Sequence, residues 1–213
     1  MKHLPRYLLL PVIIFSLFAC NQQAEKWHAT NIADLMPDLA FSLTDQNNIP
    51  VTADNYHGKI TILFFGYTNC PDVCPLTLGK LSAVLHGFPK NKRKHFQVLF
   101  VSVDPARDNA AVRKQYCAAF GPEFYGLSGT MTELRNLNRR YRVTFGYGKP
   151  DKKGHYIVSH SSAIYIFDTR GKIRLLARGT ESNQALAEDL QQLLKNRGQN
   201  TDSTNILDNP NSG

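Results

Sequence analysis

The sequence predicts one α/β domain in which a central mixed sheet is flanked by helices. Three observations carry this. Residues 60–65 and 96–103 are continuous apolar runs rich in β-branched and aromatic side chains, the pattern of strands buried on both faces. Segments with helical spacing follow each of them. Late in the chain, residues 163–167 and 172–177 flank the turn Asp168-Thr169-Arg170-Gly171, which reads as an antiparallel hairpin.

Taken in order, residues 41–44 alternate, Asp45-Gln46-Asn47-Asn48 offers turn chemistry, and residues 49–52 resume. That is a small hairpin ahead of the first buried strand. A first helix over 75–86 places Leu78, Leu81 and Leu85 on one face. A second covers 108–120. A third begins at Thr130, where Thr130-Met131-Thr132-Glu133 fits a capping box. The last starts near Ser182 and sets Leu186, Leu190 and Leu194 at steps of four. Strand–helix–strand early and hairpin–helix late is the order of a thioredoxin-like fold, here with an extra N-terminal β-hairpin.

The chain has 213 residues, room for one ordinary domain. Residues 1–19 lie outside it. Lys2 and Arg6 precede an apolar stretch without Asp or Glu, too short for a span of about 20 residues and laid out like a secretory signal. Leu17-Phe18-Ala19-Cys20 resembles a bacterial lipobox, which implies cleavage after Ala19 and lipid attachment at Cys20. Residues 20–36 read as a polar tether. Residues 198–213, rich in Asn, Ser, Asp and Gly, read as a disordered tail. The folded domain is expected over 37–197, outside the cytoplasm and close to a membrane. The formal net charge of +8 does not argue for nucleic acid. Its densest runs, Lys90 to Lys94 and Arg139 to Arg142, carry no interleaved aromatic platform.

The strongest local signal is Cys70-Pro71-Asp72-Val73-Cys74-Pro75, between a buried strand and a helix. Proline is comfortable at the first helical position, which predicts a helix starting at Pro75 with Cys74 at its N-cap. The positive end of the helix dipole should then depress a thiol pKa there. Two thiols on so short a loop can close a disulfide, exchange electrons, or jointly hold a soft metal. A structural zinc site takes four protein ligands, and the sequence offers no second pair. Cys117, within a helical segment, reads as a small buried hydrophobe. Among the histidines, His160 stands out because Tyr156, Val158 and His160 alternate into an apolar strand. From the residues alone, a packed side chain and a ligand both remain open.

A resemblance narrows these readings. FFGYTNCPDVCPLTL resembles the Cys-x3-Cys signature of the Sco/SenC family of copper-binding proteins, thioredoxin-fold factors in assembly of the copper site of cytochrome c oxidase. VSVDPARD, GLSGTMTELRNLNRRYRV and VSHSSAIYIFDTRGKI resemble three further family blocks in the same order. The resemblance implies copper held by Cys70, Cys74 and His160, and a Cys70–Cys74 disulfide when oxidised. It implies a metallochaperone serving the oxidase copper-site subunit or another periplasmic acceptor, with thiol–disulfide oxidoreductase as the alternative. Soft thiolates select Cu(I), and imidazole suits both copper states. Asn69, Ser159 and Asn109-Ala110 depart from the family's common residues. Ser159 stands where Asp often precedes the ligand His, which bears on how His160 is oriented.

Overall fold

The computed structural model describes residues 26–202. Its elements, in chain order, are β1 (Thr30–Asn31), β2 (Ser42–Thr44), β3 (Pro50–Thr52), β4 (Ile60–Gly66), α1 (Val73–His86), α2 (Lys90–Arg93), β5 (Phe96–Ser102), α3 (Ala110–Ala118), β6 (Phe124–Leu127), α4 (Met131–Arg140), β7 (Phe145–Tyr147), β8 (Val158–His160), β9 (Ile164–Phe167), β10 (Ile173–Ala177) and α5 (Asn183–Asp202). A six-stranded sheet runs β1-β10-β9-β4-β5-β6. β4, β5 and β6 are parallel, while β9, β10 and β1 pair antiparallel. The sheet is therefore mixed, as expected, and β2–β3 forms the separate N-terminal hairpin.

The two apolar runs occupy the centre of the sheet. Every residue of β4 and β5 is buried, because helices cover both faces of a parallel unit and leave no solvated side to alternate toward. α1 connects β4 to β5 and buries Leu78, Leu81 and Leu85. In α5 the buried apolar residues are Leu186, Leu190 and Leu193, with Leu194 only partly covered, since 3.6 residues per turn drifts off a strict step of four. The Thr130 capping box forms: its hydroxyl accepts the Glu133 N–H, and the Glu133 carboxylate accepts the Thr130 N–H.

Three expectations need correction. The helix after the cysteines starts at Val73 with Asp72 at the N-cap, not at Pro75. Pro75, the third helical residue, is tolerated in the first turn because the first four helical N–H groups have no partner within the helix. The packed body also starts before Pro37. Ala29 and Ile32 are buried, β1 pairs with β10, and the buried Asp189 carboxylate accepts the N–H groups of His28 and Ala29. Finally, the run through His160 is not one strand. β8 ends at His160, residues 161–163 belong to no strand, and β9 enters the main sheet, while β8 pairs with β7 in its own two-stranded sheet. Short β6, β7 and β8 were not separable as strands by periodicity.

Lys90–Arg93 forms the short α2, with no buried residue. Arg93 pairs with Glu123 at 2.8 Å and Lys92 reaches Gln191. No described helix is long and apolar enough to cross a membrane.

Candidate metal centre

The structure brings Cys70, Cys74 and His160 together. Their ligand atoms all lie within 4.8 Å of one another. Cys70 sits on the loop after β4 and is partly exposed; Cys74 lies in the first turn of α1 and is fully buried. Both are free thiols here. The Cys74 backbone N–H points at Cys70 Sγ at 3.4 Å, so an unpaired donor of the helix terminus faces that sulfur.

His160 arrives from the other side, at the end of β8. Its Nε2 lies 3.1 Å from Cys74 Sγ and its Nδ1 lies 3.0 Å from the Ser161 carbonyl. A carbonyl only accepts, so Nδ1 carries the ring proton and Nε2 presents a lone pair to Cys74. The Cys74 S–H donates to it. Here the Ser161 backbone fixes the ring, a role a carboxylate often fills at metal-binding histidines. Ser159, at the position that raised the question, turns instead to the Gly146 carbonyl. The rings of Phe64 and Tyr67 meet the imidazole edge to face, at 6.0 and 5.8 Å.

The electrostatics correct the expected thiolate. Burial pushes the Cys74 thiol well above its ordinary pKa; the Tyr67 backbone N–H opposes the rise and the adjacent Cys70 adds to it. Magnitudes explain the outcome. A helix terminus contributes about 1 kcal/mol, under one pH unit, whereas full burial moves a group by about three to five. The free site therefore holds Cys74 protonated.

Two supports were not visible in the pattern of the sequence. Gly66 closes β4 directly under the site: a Cβ there would lie 2.6 Å from Cys74 Sγ and 2.9 Å from the Phe100 ring. Only hydrogen leaves the sulfur its place. Asp108 is the second. Fully buried, it accepts the Thr68 N–H at 2.8 Å, the Thr68 hydroxyl at 2.6 Å and the Ser102 hydroxyl at 2.5 Å. It thereby staples the cysteine loop, two residues before Cys70, to the end of β5. Arg113, itself buried, donates to the Asp108 carbonyl and keeps the buried charge compensated.

Asp72 is exposed and makes no side-chain cap bond, as a solvated loop carboxylate should. Cys117 is fully buried against Gly126, outside the cluster. Cys20 lies outside the described residues.

Comparison with known proteins agrees with this geometry. Residues 33–195 match the SCO1/SenC family model. Protein SCO2, mitochondrial, of Saccharomyces cerevisiae is 36% identical over 155 residues, covering 72% of this chain and 52% of that protein. The chain spans about half the length of the first curated relatives it matches. Among solved structures, Bradyrhizobium japonicum ScoI with copper bound superimposes with a TM-score of 0.66 at 37% identity, covering 73% of this chain and 98% of that one. Yeast Sco1 with copper bound gives 0.68 at 34% identity, covering 75% and 90%. A thioredoxin-like α/β body, a Cys-x3-Cys loop facing a distal histidine, and a family match over most of its length place this chain in the SCO1/SenC family.

Proposed function

We propose that the chain binds one copper ion through Cys70 Sγ, Cys74 Sγ and His160 Nε2, and passes it to an acceptor in assembly of the copper site of cytochrome c oxidase. The observation that carries this is the convergence of two sulfurs and one oriented imidazole nitrogen within 4.8 Å, from segments 86 residues apart. The donor set fits copper in both oxidation states. Three protein ligands leave a coordination position open for an incoming one, which suits transfer. Val73, Leu76 and Ile157, on the segments that carry the site, expose large apolar side chains, as a surface that docks an acceptor should.

Loading displaces the proton held between Cys74 and His160, so binding should release protons. The Sco-family resemblance and the lipobox support a periplasmic chaperone with residues 1–19 removed, a lipid on Cys20 and a tether ahead of the packed body; the expected end of the domain at residue 197 moves outward, since α5 runs to Asp202.

The second reading is a thiol–disulfide oxidoreductase acting on an acceptor's cysteines. The contact that favours it is Cys70, partly exposed and facing a helix N–H, the setting of an attacking thiol. Elemental analysis separates the two. The reduced full chain, loaded anaerobically and desalted, should retain one copper per molecule; retention near zero would defeat the copper reading and leave the oxidoreductase.

A further inference from the structure

The three donors are not held alike. Cys70 and Cys74 belong to the β4–α1 connection at the centre of the main sheet. His160 belongs to β7–β8, a two-stranded piece outside that sheet. Something must set where this piece lies, and side chains around Arg107 do so.

The guanidinium of Arg107 pairs with the fully buried Asp104 carboxylate and donates through Nη1 to the Tyr156 carbonyl at 2.9 Å. It stacks on the Tyr156 ring at 3.6 Å and approaches the Tyr67 ring at 5.5 Å. Tyr156 returns a bond from its hydroxyl to Asp104 at 2.8 Å. Tyr147, in β7, bonds the Val103 carbonyl at 2.5 Å. Tyr67 in turn lies edge to face on His160.

One planar cation therefore joins the loop after β5, the approach to β8 and the aromatic wall of the cysteine loop. A guanidinium suits this because it bonds in its plane and stacks on its faces at once; an ammonium cannot. A groove lined by Tyr67, Asn69, Arg107, Tyr156 and Ile157 borders the junction, so water stands ready to enter wherever the contacts loosen.

We propose that Arg107 is a positioning residue for His160: it latches the β7–β8 hairpin to the body and so holds the imidazole against Cys74. The inference rests on the reading of His160 as a ligand, but it also has a consequence without metal. In the metal-free reduced full chain, Arg107→Ala should speed amide exchange of residues 145–147 and 158–160 by roughly tenfold or more and weaken the nuclear Overhauser contact between the Tyr67 and His160 rings. Amide exchange of Thr68 and Cys70 should stay at the wild-type rate, since the cysteine loop is fixed separately through Asp108.

With copper, competition against a Cu(I) chelator should show an affinity loss of about tenfold, the scale for groups that orient a ligand. The loss should be smaller than that of His160→Ala and nearly absent when added to His160→Ala. Wild-type exchange and affinity in Arg107→Ala would overturn the latch. So would an equal affinity loss with and without His160, or faster amide exchange of Thr68 and Cys70, either of which would mark general structural damage. If His160→Ala itself leaves affinity unchanged, the ligand reading falls, while amide exchange still judges the latch. Should Arg107→Ala not fold, Arg107→Lys takes its place: it keeps the charge, loses the fork and the stack, and should show the same changes in smaller degree.

Discussion

The cysteine side and the histidine side of the site are built to different standards. The cysteine side sits between two strands whose residues are all buried. Gly66 beneath the sulfur leaves no spare volume, and a buried carboxylate ties down the loop. The histidine side is a three-residue strand paired to another three-residue strand, attached to the body by Tyr147, Tyr156 and Arg107 and by Val158 and Phe145, which reach the core. Interiors are close-packed and resist displacement, whereas segments with few buried contacts open at low free energy. Under the proposed carrier function this division has a use: two donors would stay in place while the third leaves first.

The comparison can be broken most severely on its cysteine side. Gly66→Ala puts a methyl group 2.6 Å from Cys74 Sγ and must displace the sulfur, because Phe100 blocks the other direction. Overpacking should cost about 1–3 kcal/mol of stability, and Cu(I) affinity should fall by roughly a hundredfold, the upper end for contacts that orient a metal ligand. Denaturant unfolding and chelator competition measure the two effects. Wild-type affinity in Gly66→Ala would show that the cysteine side is more yielding than its packing implies.

Asp108→Asn should act next. The amide keeps the shape, its oxygen accepting from the Thr68 N–H and the Ser102 hydroxyl while its NH2 meets a Thr68 hydroxyl that can turn to accept, so what is lost is the charge that strengthens these bonds. A charged hydrogen bond contributes about 2 kcal/mol, and copper affinity should drop by roughly tenfold. Unlike Arg107→Ala, this variant should speed amide exchange of Thr68 and Cys70, because it loosens the loop that leads to both thiols.

The smallest effect lies away from the site and serves as its control. Burial pushes the Cys117 thiol up to about 12 from an ordinary 9.0. Its folded pKa exceeds its unfolded one, so the stability it contributes is present below pH 9 and is lost as pH rises toward 12. Between pH 9 and 10, the wild type should lose about 1 kcal/mol relative to Cys117→Ala, measured by urea unfolding of the reduced chains. Copper affinity at neutral pH should be unchanged, which keeps Cys117 out of the site.

Much of this was legible in local pattern. The apolar runs of β4 and β5, the alternating hairpin before them and the capping box at Thr130 are signals carried by neighbouring residues, and the structure contains each. The cysteine pair announced itself by spacing. His160 did not: alternation alone favoured a packed strand residue, and family resemblance chose it as a ligand.

What stayed hidden depends on distant partners. Nothing local says that Gly66 must be glycine for a sulfur eight residues on, or that Asp108 reaches back 40 residues to Thr68. The expectation of an acidic Cys74 failed for the same reason. The helix start is a local feature, but the burial that overrides it comes from strands and rings brought in by the fold. Strands of two to four residues, such as β1, β6, β7 and β8, are too short for a period to emerge.

The most direct test of the central claim is copper K-edge absorption on the reduced chain carrying one Cu(I). Two sulfur scatterers and one nitrogen scatterer with the multiple-scattering pattern of imidazole should appear in the wild type. His160→Ala should keep both sulfurs and lose the imidazole pattern. An imidazole signal that persists in His160→Ala, or its absence from the wild type, would contradict the assignment of His160 as the third ligand.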